Sequence, residues 1–338
     1  MIKTILKKVF EKESLLEEEA IQVFEAMLAG ELTDAQVSCF LTSLSFKGES
    51  STEIAAAAKI LRKNSLKVNT NQTILVDTCG TGGDNSNSFN VSTGAAFIAA
   101  AAGVKIGKHG NRSASSNSGS ADLLEEAGAN INLTPENVAK CIEEVGIGFM
   151  FAPAHHKATK KVVAIRKELG IRTLFNLIGP LTNPSNITAQ VIGIFDHNLI
   201  ETYLEVLIRL KCEKALVVAS ADGLDEISVG SNTFIGELNG EEYKIFEKRP
   251  EDFGIELREN PEISVKNPME SLKMIESAFS GEDSAALDML ILNAGAVIYI
   301  GNKSESIRQG VDVARDVINQ GKVLKTFQKY IELTKDLT

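Results

Sequence analysis

Apolar residues recur at helical spacing from the start of the chain to about Lys63. Ile2, Ile5, Leu6 and Val9 share one face, as do Ala20, Val23, Phe24, Met27 and Leu28, which is the period of an amphipathic helix. Gly30 reads as a stop. Thr33 with Gln36, and Ser50 with Glu53, each form a capping box, in which a hydroxyl and a later polar side chain satisfy the orphan amides of a helix start. These signals predict a small bundle of about four helices. From Asn64 to Thr73 the apolar period fades and Asn and Gln accumulate, so this stretch reads as a linker and a new unit begins at Ile74.

Beyond the linker, short apolar runs alternate with helical stretches. Ile74 to Val76, Val104 to Ile106, Phe149 to Phe151, Gln190 to Phe195 and Ala215 to Ala219 read as strands. Val91 to Ala102, Ala121 to Ala127, Pro135 to Val145, His156 to Leu169 and Ile200 to Leu210 read as helices, with Thr134 and Pro135 as a cap and first-turn proline. The alternation implies an α/β sheet. Asn239 and Gly240, between TFIGEL and EEYKIF, are a hairpin signal, and helices are expected around Met269 to Phe279, Ser284 to Tyr299 and Ser304 to Leu337.

Composition narrows the function classes. The chain has 338 residues, of which 43% are apolar, enough for a large core plus a smaller one. A formal charge of −10 argues against a general grip on nucleic acid, so any bound anion must be held locally. The longest nearly unbroken apolar stretch, Ala95 to Val104, is about half of the ~20 residues that span a bilayer. The first residues mix Lys and Glu without a leader's apolar block. A cytoplasmic protein with no membrane partner is expected. Cys39, Cys79, Cys141 and Cys212 lie far apart and suggest neither a zinc site nor a disulfide framework.

Two segments concentrate chemistry. DTCGTGGDNSNSFNVST, residues 77–93, lies between the first predicted strand and an Ala-rich helix. Gly80, Gly82 and Gly83 permit positive φ and close backbone approach, and the helix start beyond offers unpaired amides. This suits a phosphate or diphosphate. It matches neither a dinucleotide fingerprint nor a Walker A loop. A plain turn would need fewer glycines, and Asp84, Ser88, Asn90, Ser92 and Thr93 supply more polar groups than a turn requires. Ser92 is either a metal-bound hydroxyl or a helix cap. The second segment, GKHGNRSASSNSG at 107–119, is expected as a loop that gathers Lys108, His109 and Arg112 with Asn111 and several serines. In an acidic chain this is a candidate anion site, the bland alternative being a solvated loop with a cap. Both segments follow strands, where open α/β sheets place ligands.

At these segments the chain resembles the anthranilate phosphoribosyltransferases. The likeness runs through GTGGD at 80–84, FNVST at 89–93, KHGNRS at 108–113, SGSADLLEEAG at 118–128, PAHH at 153–156, RKELGIRTLFNLIGPLTNP at 166–184 and DGLDEIS at 222–228. It implies a fold of the nucleoside phosphorylase and phosphoribosyltransferase type: a small helical domain, 1–70, joined by helices within 167–188, beside a larger α/β domain, 71–338, with a central mixed, mainly parallel sheet. It further implies transfer of the phosphoribosyl group of phosphoribosyl diphosphate to the amine of anthranilate, with magnesium, in a homodimer. A pyrimidine-type nucleoside phosphorylase and a non-catalytic nucleic-acid-binding relative are the alternatives.

The resemblance assigns Gly80, Gly83, Asp84, Ser88, Asn90, Val91, Ser92 and Thr93 to the phosphoribosyl diphosphate pocket, together with Lys108, His109, Gly110, Asn111, Arg112, Ser113, Ala114, Ser115, Ser116 and Ser120. Gly80, Asn111 and Arg166 would contact anthranilate, and Ser92, Asp225 and Glu226 would hold magnesium. The chemistry agrees: a planar guanidinium suits a benzoate carboxylate, and hard oxygens suit magnesium. Taken alone, Arg166 reads as a surface residue and the adjacent acids as a helix start. His109 is the candidate general base, with a purely binding role as its alternative; His155 and His156 either orient substrate or cap a helix, and His197 reads as structural. The chain departs from the family pattern at Ser88 (commonly Thr), Asn117 (frequently Lys), Lys157 and Thr159 (usually Pro and Met), and Ala219 and Ser220 (commonly His and Gly).

Overall fold

The computed structural model describes residues 1–83, 86–113, 117–259 and 261–337. Four helices open the chain: α1 (Ile2–Phe10), α2 (Glu17–Leu28), α3 (Asp34–Lys47) and α4 (Ser51–Lys63). Both capping boxes form, with the Gln36 and Glu53 amides donating to the Thr33 and Ser50 hydroxyls at 3.3 Å. Glu53 also accepts the Leu15 amide at 2.9 Å and lies 2.9 Å from the Lys47 ammonium, so one buried carboxylate fastens the turn before α2 to the start of α4.

The rest alternates strand and helix: β1 (Val76–Gly80), α5 (Val91–Ala101), β2 (Ile106–Gly110), α6 (Ser120–Glu126), α7 (Pro135–Glu144), β3 (Ile147–Phe151), α8 (Ala152–His155), α9 (Lys160–Leu169), β4 (Ala189–Gly193), α10 (Ile200–Arg209), β5 (Lys214–Ser220), β6 (Thr233–Asn239), β7 (Glu242–Lys248), α11 (Pro268–Phe279), α12 (Ala285–Ile300), α13 (Ile307–Asn319) and α14 (Lys322–Asp336). Among the described residues they build a seven-stranded sheet of order β3-β2-β1-β4-β5-β6-β7. The first five are parallel; β6 and β7 join antiparallel through the Asn239-Gly240 hairpin. The expected C-terminal helix is two, broken at Gly321, whose φ is +63°.

Two cores lie on opposite faces of the sheet. Along β4 and β5, Val191, Leu216 and Val218 face the core built by α5 and α11 to α14. Their neighbours Ile192, Ala215, Val217 and Ala219 face the core of α1 to α4, α9 and α10. The period-2 alternation of a strand thus gives each face its own partner, and both covered faces explain the nearly continuous apolar reading of these strands. Val162, Ile165, Leu174, Leu177, Ile178 and Leu181 join the helical side. The strand order reverses between β1 and β4, which opens a crevice at their carboxyl ends.

Candidate functional site

β1 ends in Gly80 and β4 in Gly193, and Asp225 lies over both. A β-carbon on Gly80 would stand 2.1 Å from Asp225 Oδ2, and one on Gly193 would stand 1.5 Å from the Asp225 carbonyl oxygen. Only hydrogen at Gly193 admits the Asp225 backbone, and only hydrogen at Gly80 admits the Asp225 carboxylate where it stands. The Gly82 amide donates to Asp225 Oδ2 at 2.8 Å. Gly82 and Gly83 take φ of +63° and +80°, the left-handed turn expected after β1, whereas Gly80 remains in the strand and is required for close approach alone. Ser92, Asp225, Glu226, Gly80 and Thr78 line one small cleft at this crevice. Among the described residues no cluster of three or more His, Cys, Asp or Glu could hold a metal ion; the carboxylates of the cleft are those of Asp225 and Glu226, with the Ser92 hydroxyl beside them.

The second segment differs from expectation at its start. Gly107 to Gly110 continue β2, so Lys108 and His109 are strand residues rather than loop cations. Lys108 is 1% exposed, and its ammonium donates to the Thr78 carbonyl at 2.6 Å and the Ser92 hydroxyl at 3.1 Å. Burial lowers its pKa, opposed by the charges of Cys79, Asp77 and Glu226. Asp77, buried in β1, accepts the His109 amide at 3.2 Å and the Asn183 side chain at 2.8 Å; burial raises its pKa and Lys108 counters this. Charged residues thus occupy a buried strand because each has a partner. Burial also pushes the His109 imidazole well below its ordinary value, with His156 and His155 adding to the effect. Arg112 is held by Glu125 and Asp122. The expected excess of free cations is therefore replaced by one buried ammonium, one neutral imidazole and one paired guanidinium.

The two segments nevertheless converge. Asn90 caps α5 by accepting the Thr93 amide at 3.1 Å, and its side-chain amide donates to the Ser118 carbonyl at 3.3 Å. Asp122 accepts the amides of Ser113 and Gly119 at 2.9 and 3.0 Å, and the Ser120 hydroxyl donates to the Asn111 carbonyl at 3.2 Å. Val91 and Thr93 are buried at the start of α5, while Asn111 is exposed. A strap formed by 263–265 touches both segments: Phe89 donates to the Ile263 carbonyl at 2.9 Å, Val265 to the Asn87 carbonyl at 2.9 Å, and the Asn117 side chain to the Val265 carbonyl at 2.8 Å. Ser88 pairs with Ser264 in an isolated bridge. Asp84, Ala114, Ser115 and Ser116 lie outside the described residues.

On the helical side, Arg166 is half-buried. Its Nη2 donates to Asn176 Oδ1 at 3.3 Å and its guanidinium lies 5.2 Å from the Phe175 ring centre. Its Nε is buried without a hydrogen-bond partner among the described residues, and burial lowers its pKa. The PAHH histidines are interior: His155 Nδ1 is 2.8 Å from the Leu66 carbonyl, and His156 packs edge-on against His109 at 5.2 Å. His197 is exposed and stacks on Phe234.

Sequence reasoning missed Arg172, which donates to the Gly83 carbonyl at 2.5 Å; a lone arginine carries no pattern that marks it. It also missed the strap, which has no reactive side chain. The departure at Ser220 gains an account: its hydroxyl donates to the Glu226 carbonyl at 2.6 Å and accepts the Ser228 amide at 3.1 Å, securing the loop that carries Asp225 and Glu226. The Thr159 hydroxyl donates to the His156 carbonyl at 2.7 Å and closes the turn after the two histidines; nothing in the structure explains Lys157.

Residues 72–324 match the family described as glycosyl transferase family, a/b domain, and residues 3–65 match its helical bundle domain. The anthranilate phosphoribosyltransferase of Acetivibrio thermocellus is 44% identical over 99% of this chain and 97% of that protein. That of Hahella chejuensis is 48% identical over 95% of this chain and 94% of its own length. Among solved structures, the Thermus thermophilus anthranilate phosphoribosyltransferase superposes with a TM-score of 0.92 at 37% identity, covering 98% of this chain and 99% of that one. The Saccharomyces cerevisiae enzyme in complex with PRPP and Mg gives 0.89 at 27% identity, covering 99% of this chain and 98% of that one. With two converging ligand-type segments at the crevice of the sheet and full-length likeness to these proteins, the chain belongs to the anthranilate phosphoribosyltransferase family.

Proposed function

We propose that the chain transfers the phosphoribosyl group of 5-phosphoribosyl 1-diphosphate to the amine of anthranilate, giving N-(5-phosphoribosyl)anthranilate and pyrophosphate, the second step of tryptophan synthesis from chorismate. The observation that carries this is the Asn90 to Ser118 hydrogen bond at 3.3 Å, which draws the glycine-rich and serine-rich segments together over the crevice. The yeast relatives bound to PRPP and Mg, and to 4-fluoroanthranilate, support it.

Cleavage at ribose C1 develops negative charge on the departing diphosphate, so the chief task is electrostatic stabilisation. The start of α5 and the hydroxyls of Ser88 and Ser92 serve it, while the Thr81 and Gly82 amides are spent on the Gly193 carbonyl and Asp225 and hold the turn in shape. Lys108 acts from beneath, holding Ser92 and adding positive potential, rather than clamping a phosphate. Arg166 receives the anthranilate carboxylate and so orients the amine, a positioning effect. That amine is neutral near pH 7 and needs no strong base; His109, kept neutral by burial, is an acceptor at most.

The hydroxyl of Ser92 and the carboxylates of Asp225 and Glu226, which share one cleft, fit magnesium. A magnesium ion held by these residues would help neutralise the charge that develops on the diphosphate. We assign 1–70 to the helical domain and 71–338 to the α/β domain, with 167–188 joining the former, as the shared helical-side core supports. No helix among the described residues is long and apolar enough to cross a membrane, in keeping with a cytoplasmic site of action. Phe10, Leu16 and Phe46, exposed on the helical domain, supply a surface for a homodimer.

The test is direct: the protein is mixed with anthranilate, phosphoribosyl diphosphate and magnesium, and anthranilate fluorescence is followed. The chain has no Trp, which keeps the background low. Emission should decay with enzyme concentration; steady emission over folded protein sinks the proposal.

A further inference from the structure

Arg172 spans the two halves of the site. Its backbone carbonyl accepts the Ser45 hydroxyl of α3 at 3.1 Å, which fixes it to the helical side. Its guanidinium lies 4.2 Å from the ring centre of Phe195, just beyond β4, and its Nη2 donates to the Gly83 carbonyl at 2.5 Å. A β-carbon on Gly83 would stand 3.0 Å from that same nitrogen, so the glycine turn and the guanidinium are fitted to each other. The next residue continues the connection. The Thr173 amide donates to Asn176 Oδ1 at 3.0 Å, the oxygen that also accepts Arg166 Nη2 at 3.3 Å.

A continuous path therefore runs from the Gly83 carbonyl through Arg172, Thr173 and Asn176 to the Arg166 guanidinium. We propose that Arg172 is a positioning residue that couples the diphosphate turn to the acceptor's carboxylate subsite, so that setting one sets the other. The proposal rests on the substrate assignment above. Arginine suits the task because a planar guanidinium stacks on a ring and donates in its own plane at once. A lysine ammonium is a compact point charge with no planar face to lie along the ring and aim a donor from its edge, so Arg172→Lys should rescue little.

The experiment uses the full chain carrying Arg172→Ala, Arg172→Lys, Arg166→Ala, and the Arg172→Ala/Arg166→Ala pair. Arg172 is exposed, and the thermal midpoint of each variant reports folding; Arg172→Gln replaces any that fails to fold. Arg172→Ala should raise KM for phosphoribosyl diphosphate about 10- to 100-fold, the loss of one charged hydrogen bond, raise KM for anthranilate as well, and change kcat less. The loss in kcat/KM for anthranilate in the pair should fall short of the product of the single losses by about threefold or more. An unchanged KM for phosphoribosyl diphosphate in Arg172→Ala, or losses that multiply, overturns the coupling. Calorimetric titration of pyrophosphate with magnesium separates this from the substrate assignment. If the parent protein turns over nothing, the assignment fails, yet weaker pyrophosphate binding by Arg172→Ala still supports its hold on the turn, and equal or undetectable binding overturns it.

Discussion

Asp225 lies so close over Gly80 that a β-carbon on the glycine would stand 2.1 Å from the carboxylate oxygen. At Gly193 the obstacle is the Asp225 carbonyl instead, at 1.5 Å. A side-chain carboxylate can swing away; a backbone carbonyl cannot without moving its loop. Gly80→Ala is therefore expected to cut activity while leaving stability nearly intact, and Gly193→Ala to cost in addition about 1–3 kcal/mol of stability through overpacking. Denaturant melts of the two variants decide the matter, and equal stability losses would contradict the distinction.

Asp225→Asn keeps the shape of the side chain and removes its charge. The apparent magnesium affinity in the fluorescence assay should fall by about tenfold or more, since hard cations favour anionic oxygen. A magnesium titration that overlays the parent's would remove Asp225 from the metal site.

Arg166→Ala should act chiefly on one substrate, because it removes the carboxylate contact itself and reaches the diphosphate turn only through the path to Arg172. KM for anthranilate is expected to rise about 10- to 100-fold, the worth of a charged hydrogen bond to the carboxylate, with a much smaller change for phosphoribosyl diphosphate. Equal weakening toward both substrates would count against a carboxylate-binding role.

The buried histidines set an acid limit. Burial drives His156 down from 6.5 to about 4, and lowers His155 and His109 as well. A histidine whose folded pKa is depressed contributes stability that is present above its unfolded pKa and lost as pH falls through the folded value. The protein should therefore weaken between about pH 6.5 and pH 4, with His156 alone accounting for up to about 3 kcal/mol. Unfolding free energies measured across that window check this, and a flat profile would mean that the imidazoles are not held neutral.

The legible parts of the chain were those whose chemistry is local. Thr33, Ser50 and Thr134 announce helix starts because a hydroxyl and an amide three residues on complete the cap within one turn. Asn239-Gly240 announces its hairpin for a similar reason. Lys108 and His109 misled because hydrophilic side chains read as loop, while their burial depends on Asp77, Thr78 and Ser92, partners that only the sheet brings near. That the two ligand segments meet follows from their places after strands and from the family likeness, but the means by which they meet does not. Arg172 and residues 263–265 act through backbone carbonyls and amides far away in sequence, and no residue type advertises such a contact.

The strap at 263–265 lies after the last strand of the sheet, β7, which ends at Lys248. A chain severed between them would keep the residues of all seven strands and the glycines and serines of both segments, yet would lose the backbone hydrogen bonds from Phe89 and Val265 and the anchor for Asn117. During synthesis, then, every strand of the sheet leaves the ribosome before the strap does, and the two glycine- and serine-rich segments gain this bracing only afterwards, together with the helices that cover one face of the sheet.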